Sequence, residues 1–185
     1  DELQNYMEAF RELILPAAEV LVGNHKTLTD FLLPDWDNER APSARELAVA
    51  AGEHGTRFVL VTGVMLPSKG KEQWIDNVLA SPQGALTGEK FELFEAGFVG
   101  AGDTLSAALA ALLASGAELS DAVGEALQFL DQSLDAGFRP GMGNVVPDRF
   151  FWALPPPEDG EASADGEAEP DDNSGLPPGA SRRVH

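Results

Sequence analysis

The sequence Phe98-Val99-Gly100-Ala101-Gly102-Asp103-Thr104 stands immediately before a periodic apolar pattern that predicts a long helix. Its two glycines let the backbone turn tightly, so that successive N–H groups point at whatever lies above the start of the helix. Such a turn favours a bound anion, and Asp103 among these donors could accept a proton from an alcohol that attacks a bound phosphoryl group. A simpler interpretation makes Asp103 only the N-cap of the helix.

Two other phosphate-binding motifs are excluded by their spacing. The dinucleotide motif G-x-G-x-x-G would need a glycine at position 105, which is Leu105. In the P-loop motif four residues separate the two glycines, whereas six separate Gly63 from Gly70 here, and Glu72 stands where Ser or Thr is required. Neither of these nucleotide-binding folds is therefore predicted.

Helical and strand patterns alternate along the chain, which predicts an α/β fold with a mainly parallel sheet flanked by helices. Ser120 or Asp121 is placed to cap the last helix. The predicted elements are a helix over residues 3–14, a strand over 18–22, a helix over 44–51, a strand over 57–62, a strand pair over 73–80 and 85–95, and two helices on either side of Gly116.

The composition is that of one acidic globular domain of 185 residues. Its 31 Asp and Glu against 12 Lys and Arg disfavour nucleic acid as a partner. The absence of cysteine excludes a thiolate nucleophile and a Cys-based zinc site. No apolar stretch approaches the roughly 20 residues that span a bilayer. We therefore expect a cytoplasmic protein that does not insert into membranes. The sequence leaves open whether it forms a homodimer.

The composition changes sharply after Leu154. Residues 155–185 are rich in Pro, Gly and Ser and carry eight acidic residues against Arg182 and Arg183. Too few apolar residues are present to offset the entropy lost on ordering. The sequence thus predicts a folded region over 1–154 and a disordered acidic tail over 155–185.

Four segments together resemble the ribokinase-like superfamily, in its hydroxymethylpyrimidine/phosphomethylpyrimidine kinase or pyridoxal kinase branch. The segment from Phe98 to Leu113 resembles the G-[AT]-G-D signature of that superfamily. The other three are Ile14-Leu-Pro-Ala-Ala-Glu-Val-Leu-Val-Gly-Asn24, Val59-Leu-Val-Thr-Gly63 and Phe138-Arg-Pro-Gly-Met-Gly-Asn-Val-Val-Pro-Asp-Arg-Phe-Phe151. The resemblance covers residues 3 to about 153 and corresponds to the C-terminal portion of the fold.

The resemblance implies a role for each matched site residue. Asp103 would be the catalytic base, and the backbone of Gly100, Ala101 and Gly102 would form the anion hole. Asn24, Thr62 and Gly63 would contact the nucleotide, with ATP and Mg²⁺ as cofactors. The protein ligands of the metal are left unassigned.

Two departures from the family pattern bear on these roles. Thr27 stands where the family usually has an acid that helps to hold Mg²⁺, and Asp30 is a candidate substitute. Many hydroxymethylpyrimidine kinases have Cys at the position of Asp103, whereas Asp is commoner in animal-type pyridoxal kinases and sugar kinases. The resemblance therefore implies an ATP-dependent kinase that phosphorylates the hydroxymethyl group of a small heteroaromatic vitamin precursor. Hydroxymethylpyrimidine or its phosphate, in thiamine biosynthesis, is the first expectation.

Three alternatives remain open from the sequence. Pyridoxal is the close second acceptor, and a sugar is the third. A different class of function is a non-catalytic kinase portion that binds nucleotide or a partner chain, because the N-terminal half that supplies most substrate contacts in the family has no counterpart in these 185 residues.

Overall fold

The computed structural model describes residues 2–67, 70, 72–93 and 96–153, so the predicted tail lies outside the described residues. The first helix, Glu2–Ala9, continues through a π-helical turn at Phe10–Ile14 and a 3₁₀ turn at Leu15–Ala17. This helical stretch therefore ends close to Pro16, where the sequence predicted its end. The helices and strands are α1 (Glu2–Ala9), β1 (Val20–Asn24), α2 (His25–Leu32), α3 (Ala44–Glu53), β2 (Phe58–Met65), β3 (Trp74–Ser81), β4 (Gly84–Glu92), α4 (Ala101–Ala114) and α5 (Leu119–Asp135).

The four strands form one mixed sheet in the order β1-β2-β3-β4. Strands β1 and β2 are parallel, whereas β2–β3 and β3–β4 are antiparallel. The sequence predicted a mainly parallel sheet, and for the described sheet this prediction is wrong. The connections explain the difference, because residues 66–73 and the turn before Gly84 are too short for the crossover that parallel strands need.

Helices cover both faces of the sheet. Val59, Leu60 and Val61 of β2 are all fully buried. Val59 and Val61 pack in one apolar cluster with residues of α2 and α3, and Leu60 packs in a second cluster with residues of α4 and α5. A strand covered on both faces reads as a continuous apolar run, which is how the sequence revealed β2.

Helix α2 was not predicted from the sequence. It has eight residues, and its N-cap is Asn24, whose side-chain oxygen accepts a hydrogen bond from the Lys26 N–H. Leu28, Phe31 and Leu32 are buried at three- and four-residue spacing. The segment between β1 and β2 therefore carries two helices instead of one.

The start of α5 also differs from the prediction. Glu118 is the N-cap, with extended backbone and no capping bond from its side chain. The Glu118 carbonyl accepts from the Ala122 N–H at 2.8 Å, so Ser120 and Asp121 already lie inside the helix and cap nothing. Within the described residues, none of the helices combines the length and apolarity that crossing a bilayer requires.

Candidate active site

Helix α4 begins with a backbone geometry that only glycine adopts readily. Gly100 is the N-cap, with φ 86° and ψ 7°. The first helical hydrogen bond runs from the Thr104 N–H to the Gly100 carbonyl at 2.9 Å. The N–H groups of Ala101, Gly102 and Asp103 precede it and have no acceptor within the helix. These three groups, called the cradle below, form the kind of helix start that binds anions.

Asp103 lies in the first turn of α4 and is exposed. It is not the N-cap, because Gly100 occupies that position, so the simpler interpretation of Asp103 is wrong. A Cβ added to the neighbouring Gly102 would meet no heavy atom within 4 Å. A carboxylate thus stands on the same helical turn as the free N–H groups, beside open space.

Thr104 ties this turn to a residue far along the chain. Its side chain is buried, and its hydroxyl donates to the Gly100 carbonyl at 2.7 Å. The same hydroxyl oxygen accepts from Arg149 Nε at 2.9 Å. Arg149 Nη2 also lies 3.0 Å from the point that a Cβ on Gly100 would occupy. The guanidinium therefore lies along the first turn of α4, an arrangement that the sequence did not predict.

The chain segment before Arg149 is fixed by backbone hydrogen bonds. Val145 pairs with the residues before the cradle in both directions. The Val99 N–H donates to the Val145 carbonyl at 3.0 Å, and the Val145 N–H donates to the Gly97 carbonyl at 3.0 Å. The Asp148 N–H donates to the carbonyl of Ser133, near the end of α5, at 2.8 Å. Residues 138–151, called the closing segment below, are thus bonded to the residues before α4 and to the end of α5, and this places Arg149 beside the first turn of α4.

A cavity of about 430 Å³ opens beside the same turn, between α4 and α5. Its walls are mainly apolar side chains of the two helices, and its polar members are Thr104, Glu125 and Arg149. An apolar cavity with a few polar groups is typical of small-molecule sites. Thr104 and Arg149 line this cavity and also contact each other at the first turn of α4, so the cavity lies next to the cradle.

Asn24, Thr62 and Gly63 lie together at the ends of the two parallel strands. Asn24 pairs with Thr62 in the sheet, and the Thr62 hydroxyl donates to the Gly23 carbonyl at 3.3 Å. Gly63 has φ 70°, and a Cβ there would lie only 2.9 Å from Asn24 Nδ2. The structure therefore brings these three predicted residues into one group, and only glycine fits at position 63.

Asn77 supports this group and was missed by the sequence analysis. Its side chain is buried, its Oδ1 accepts from the Gly63 N–H at 3.1 Å, and its Nδ2 donates to the Glu89 carbonyl. The sheet register shifts between Val61 and Val64, so Gly63 lies in an irregular stretch of β2. Asn77 supplies the partner that the Gly63 N–H needs there. A contact of Gly63 with a nucleotide would thus use other atoms than this N–H.

The residues expected near a metal ion do not form a protein-borne site. Asp30 is ion-paired with Lys26 at 2.7 Å, and Thr27 is exposed. The described ranges contain no group of three or more His, Asp or Glu side chains able to hold a metal. Magnesium bound to ATP needs few protein ligands, because it keeps several waters and phosphate oxygens.

Comparisons with known proteins agree with this architecture. A family model described as phosphomethylpyrimidine kinase matches residues 3–148. The chain is 33% identical over 135 residues to the thiamine biosynthetic bifunctional enzyme TH1, chloroplastic, of Arabidopsis thaliana. That alignment covers 70% of this chain and 24% of the plant protein.

Solved structures of two pyridoxal kinases share the fold. The Bacillus subtilis enzyme in its ADP complex gives a TM-score of 0.65 at 24% identity, covering 83% of this chain and 56% of that one. The Staphylococcus aureus enzyme with AMP-PCP and pyridoxal gives 0.67 at 19% identity, covering 81% and 54%. This chain therefore spans about half the length of these relatives, and the predicted ribokinase-like α/β fold is confirmed.

The family match extends from α1 through the cradle to Asp148, so it includes the strands and helices that build the candidate site and ends one residue before Arg149. The chain belongs to the phosphomethylpyrimidine kinase family.

Proposed function

We propose that this chain carries the phosphoryl-transfer site of an ATP-dependent kinase. The acceptor is the hydroxymethyl group of a small heteroaromatic vitamin precursor, namely hydroxymethylpyrimidine or its phosphate in thiamine biosynthesis. The observation that carries the proposal is the placement of Asp103 on the same helical turn as three unpartnered N–H groups. A base and an anion-stabilising backbone are thus presented together beside open space.

The cradle and Asp103 divide the reaction between them. The acceptor hydroxyl attacks the γ-phosphorus of MgATP, and Asp103 accepts the hydroxyl proton as the new P–O bond forms. The bond between the γ-phosphorus and its bridging oxygen breaks, and ADP leaves. The N–H groups of Ala101, Gly102 and Asp103 stabilise the negative charge on the phosphoryl oxygens during transfer.

The nucleotide is assigned to the surfaces on either side of the cradle. The apolar cavity between α4 and α5 has room for a nucleoside next to the phosphates. Asn24, Thr62 and Gly63 would approach the phosphates from the strand ends, with the Asn24 Nδ2 group as a donor. Support for a nucleotide also comes from the structural relatives, which are described with ADP and AMP-PCP.

The choice of pyrimidine as the acceptor rests on the family and on the thiamine biosynthetic relative. Pyridoxal is the second candidate, because the structural relatives named above are pyridoxal kinases. Since this chain spans about half of those enzymes, residues outside it contribute to the acceptor pocket in this proposal.

An acceptor panel tests the proposed function. The intact protein would be incubated with MgATP and hydroxymethylpyrimidine, hydroxymethylpyrimidine phosphate, pyridoxal or ribose, and the products would be identified by mass spectrometry. We expect phosphorylated pyrimidine with the highest kcat/KM. A preference for pyridoxal or ribose would show that this compound, and not the pyrimidine, is the acceptor. The absence of product from all four compounds would contradict a kinase of this class.

A further inference from the structure

Arg149 is an exposed cation that contacts the first turn of α4, yet it has no anionic partner in the described part of the chain. Its Nε donates to the Thr104 hydroxyl, and no ion pair involves it. Glu125 lines the same cavity without forming an ion pair with it. By contrast, Arg40 and Arg57 are each within 4.0 Å of a carboxylate, at 2.6 Å and 3.6 Å.

This placement is electrostatically unfavourable for the free protein. The start of a helix carries a partial positive charge, which arises from free N–H groups such as those of the cradle, so a cation there is repelled. The closing segment nevertheless holds Arg149 against Gly100 and Thr104. A bound anion would convert this repulsion into attraction.

One of the remaining donors of the guanidinium lies next to Gly100, the residue that precedes the cradle. Nε is used by Thr104, while Nη2 stands 3.0 Å from the Cβ position of Gly100, directly beside the cradle. Arg149 also lines the cavity between α4 and α5. It therefore lies at the junction between the surface for the phosphates and the surface for the nucleoside.

We propose that Arg149 is a nucleotide-binding residue whose guanidinium donates to phosphate oxygens of ATP and ADP at this junction. The inference rests on the proposed function, because it takes the cradle as the phosphate site. Its planar set of N–H donors suits phosphate oxygens better than an ammonium group does. Thr104 is then a positioning residue, since its hydroxyl fixes the orientation of the guanidinium.

Calorimetric titration of the intact protein with ADP and with adenosine tests the assignment. We expect Arg149→Gln to weaken ADP binding by about tenfold to a hundredfold, the usual effect of losing charge-assisted hydrogen bonds. Adenosine has no phosphate, so its affinity should change less than twofold. Arg149→Lys keeps the charge without the planar donors and should fall between wild type and Arg149→Gln.

Arg139→Gln is the matched control, because it removes the same charge from the same segment, and within the described residues the Arg139 side chain is hydrogen-bonded to the Gly143 carbonyl rather than to α4. It should leave ADP binding unchanged. The melting temperature of Arg149→Gln should equal or exceed that of wild type, since an unfavourable charge at the helix start has been removed.

The outcomes separate this inference from the proposed function. If wild type binds ADP and Arg149→Gln binds it equally well, the role of Arg149 is overturned and the kinase proposal stands. An equal loss of ADP and adenosine affinity, or unfolding of Arg149→Gln, would make Arg149 a structural residue and also overturn its role. If wild type binds neither ligand, the proposed nucleotide site itself is wrong.

Discussion

Asn77 Oδ1 accepts a hydrogen bond from the Gly63 N–H at 3.1 Å, across the irregular stretch of β2 that ends at Val64. The other end of the same amide donates to the Glu89 carbonyl at 3.2 Å on strand β4. One buried side chain thus joins three strands and fixes the glycine that the Asn24 amide approaches. The geometry of this proposed nucleotide contact depends on a residue that would not itself touch the nucleotide.

We expect Asn77→Ala to lower the free energy of unfolding by about 1–3 kcal/mol, because it leaves a backbone donor and a backbone acceptor without partners. Urea denaturation measures the change. Asn38→Ala is a suitable control, since Asn38 is exposed and makes no hydrogen bond with the rest of the described chain. Equal midpoints for the two variants would show that Asn77 does not stabilise the stretch around Gly63.

Gly100 and Gly102, at the start of α4, should respond differently to alanine. Gly100→Ala should lose about 1–2 kcal/mol of stability, because a side chain is strained at φ 86°. Gly102 lies inside the helix with no heavy atom within 4 Å of an added Cβ. Gly102→Ala should therefore be neutral or stabilising by up to about 1 kcal/mol. Thermal denaturation of both variants checks the pair, and equal destabilisation would contradict the described start of α4.

The capping box of α3 predicts a pH dependence. Bidentate hydrogen bonds from Arg40, followed by bonds from the Ser43 N–H and hydroxyl, lower the pKa of Glu46 from 4.5 to about 2. A lowered pKa in the folded state means that the contribution is present above pH 4.5 and is lost as the pH falls through about 2. We expect Glu46→Gln to cost about 0.5–1 kcal/mol at pH 7, the usual size for a cap and an exposed ion pair.

Denaturation of wild type and Glu46→Gln between pH 7 and pH 2 measures this effect, and the difference between them should shrink toward the acidic end. Glu53→Gln, at the exposed end of the same helix, should show no such difference. A gap that stayed constant down to pH 2 would show that the Glu46 carboxylate is not the stabilising group.

The sequence predicted the parts of the fold that depend on local pattern. The apolar run Val59-Leu60-Val61 identified a strand covered on both faces, and the turn at Ser81-Pro82-Gln83-Gly84 identified the β3–β4 pair. Gly100 and Gly102 likewise predicted a helix start with free N–H groups. Helix α2 was not predicted, because its eight residues carry only three buried apolar side chains, too few to show a clear helical period.

The supporting residues of the site could not be found in this way. Thr104 and Arg149 are 45 positions apart, and they meet only because the closing segment returns to the residues before α4 and to the end of α5. Asn77 is 14 positions from Gly63, on a neighbouring strand. Such contacts depend on the register of strands and on chain return, which are properties of the folded chain. The group formed by Asn24, Thr62 and Gly63 was expected only from the resemblance to a family.

The role of Asp103 is the central claim, and a single variant tests it most directly. Steady-state ADP formation and ATP affinity would be measured for the intact enzyme and for Asp103→Asn, with hydroxymethylpyrimidine as the acceptor. We expect kcat to fall by about two to four orders of magnitude while the affinity for ATP changes little, because a general base acts on the acceptor proton. Asp121→Asn, in the first turn of α5, serves as the matched control. Near-normal turnover by Asp103→Asn would contradict the account and leave Asp103 as a residue of the helix start alone.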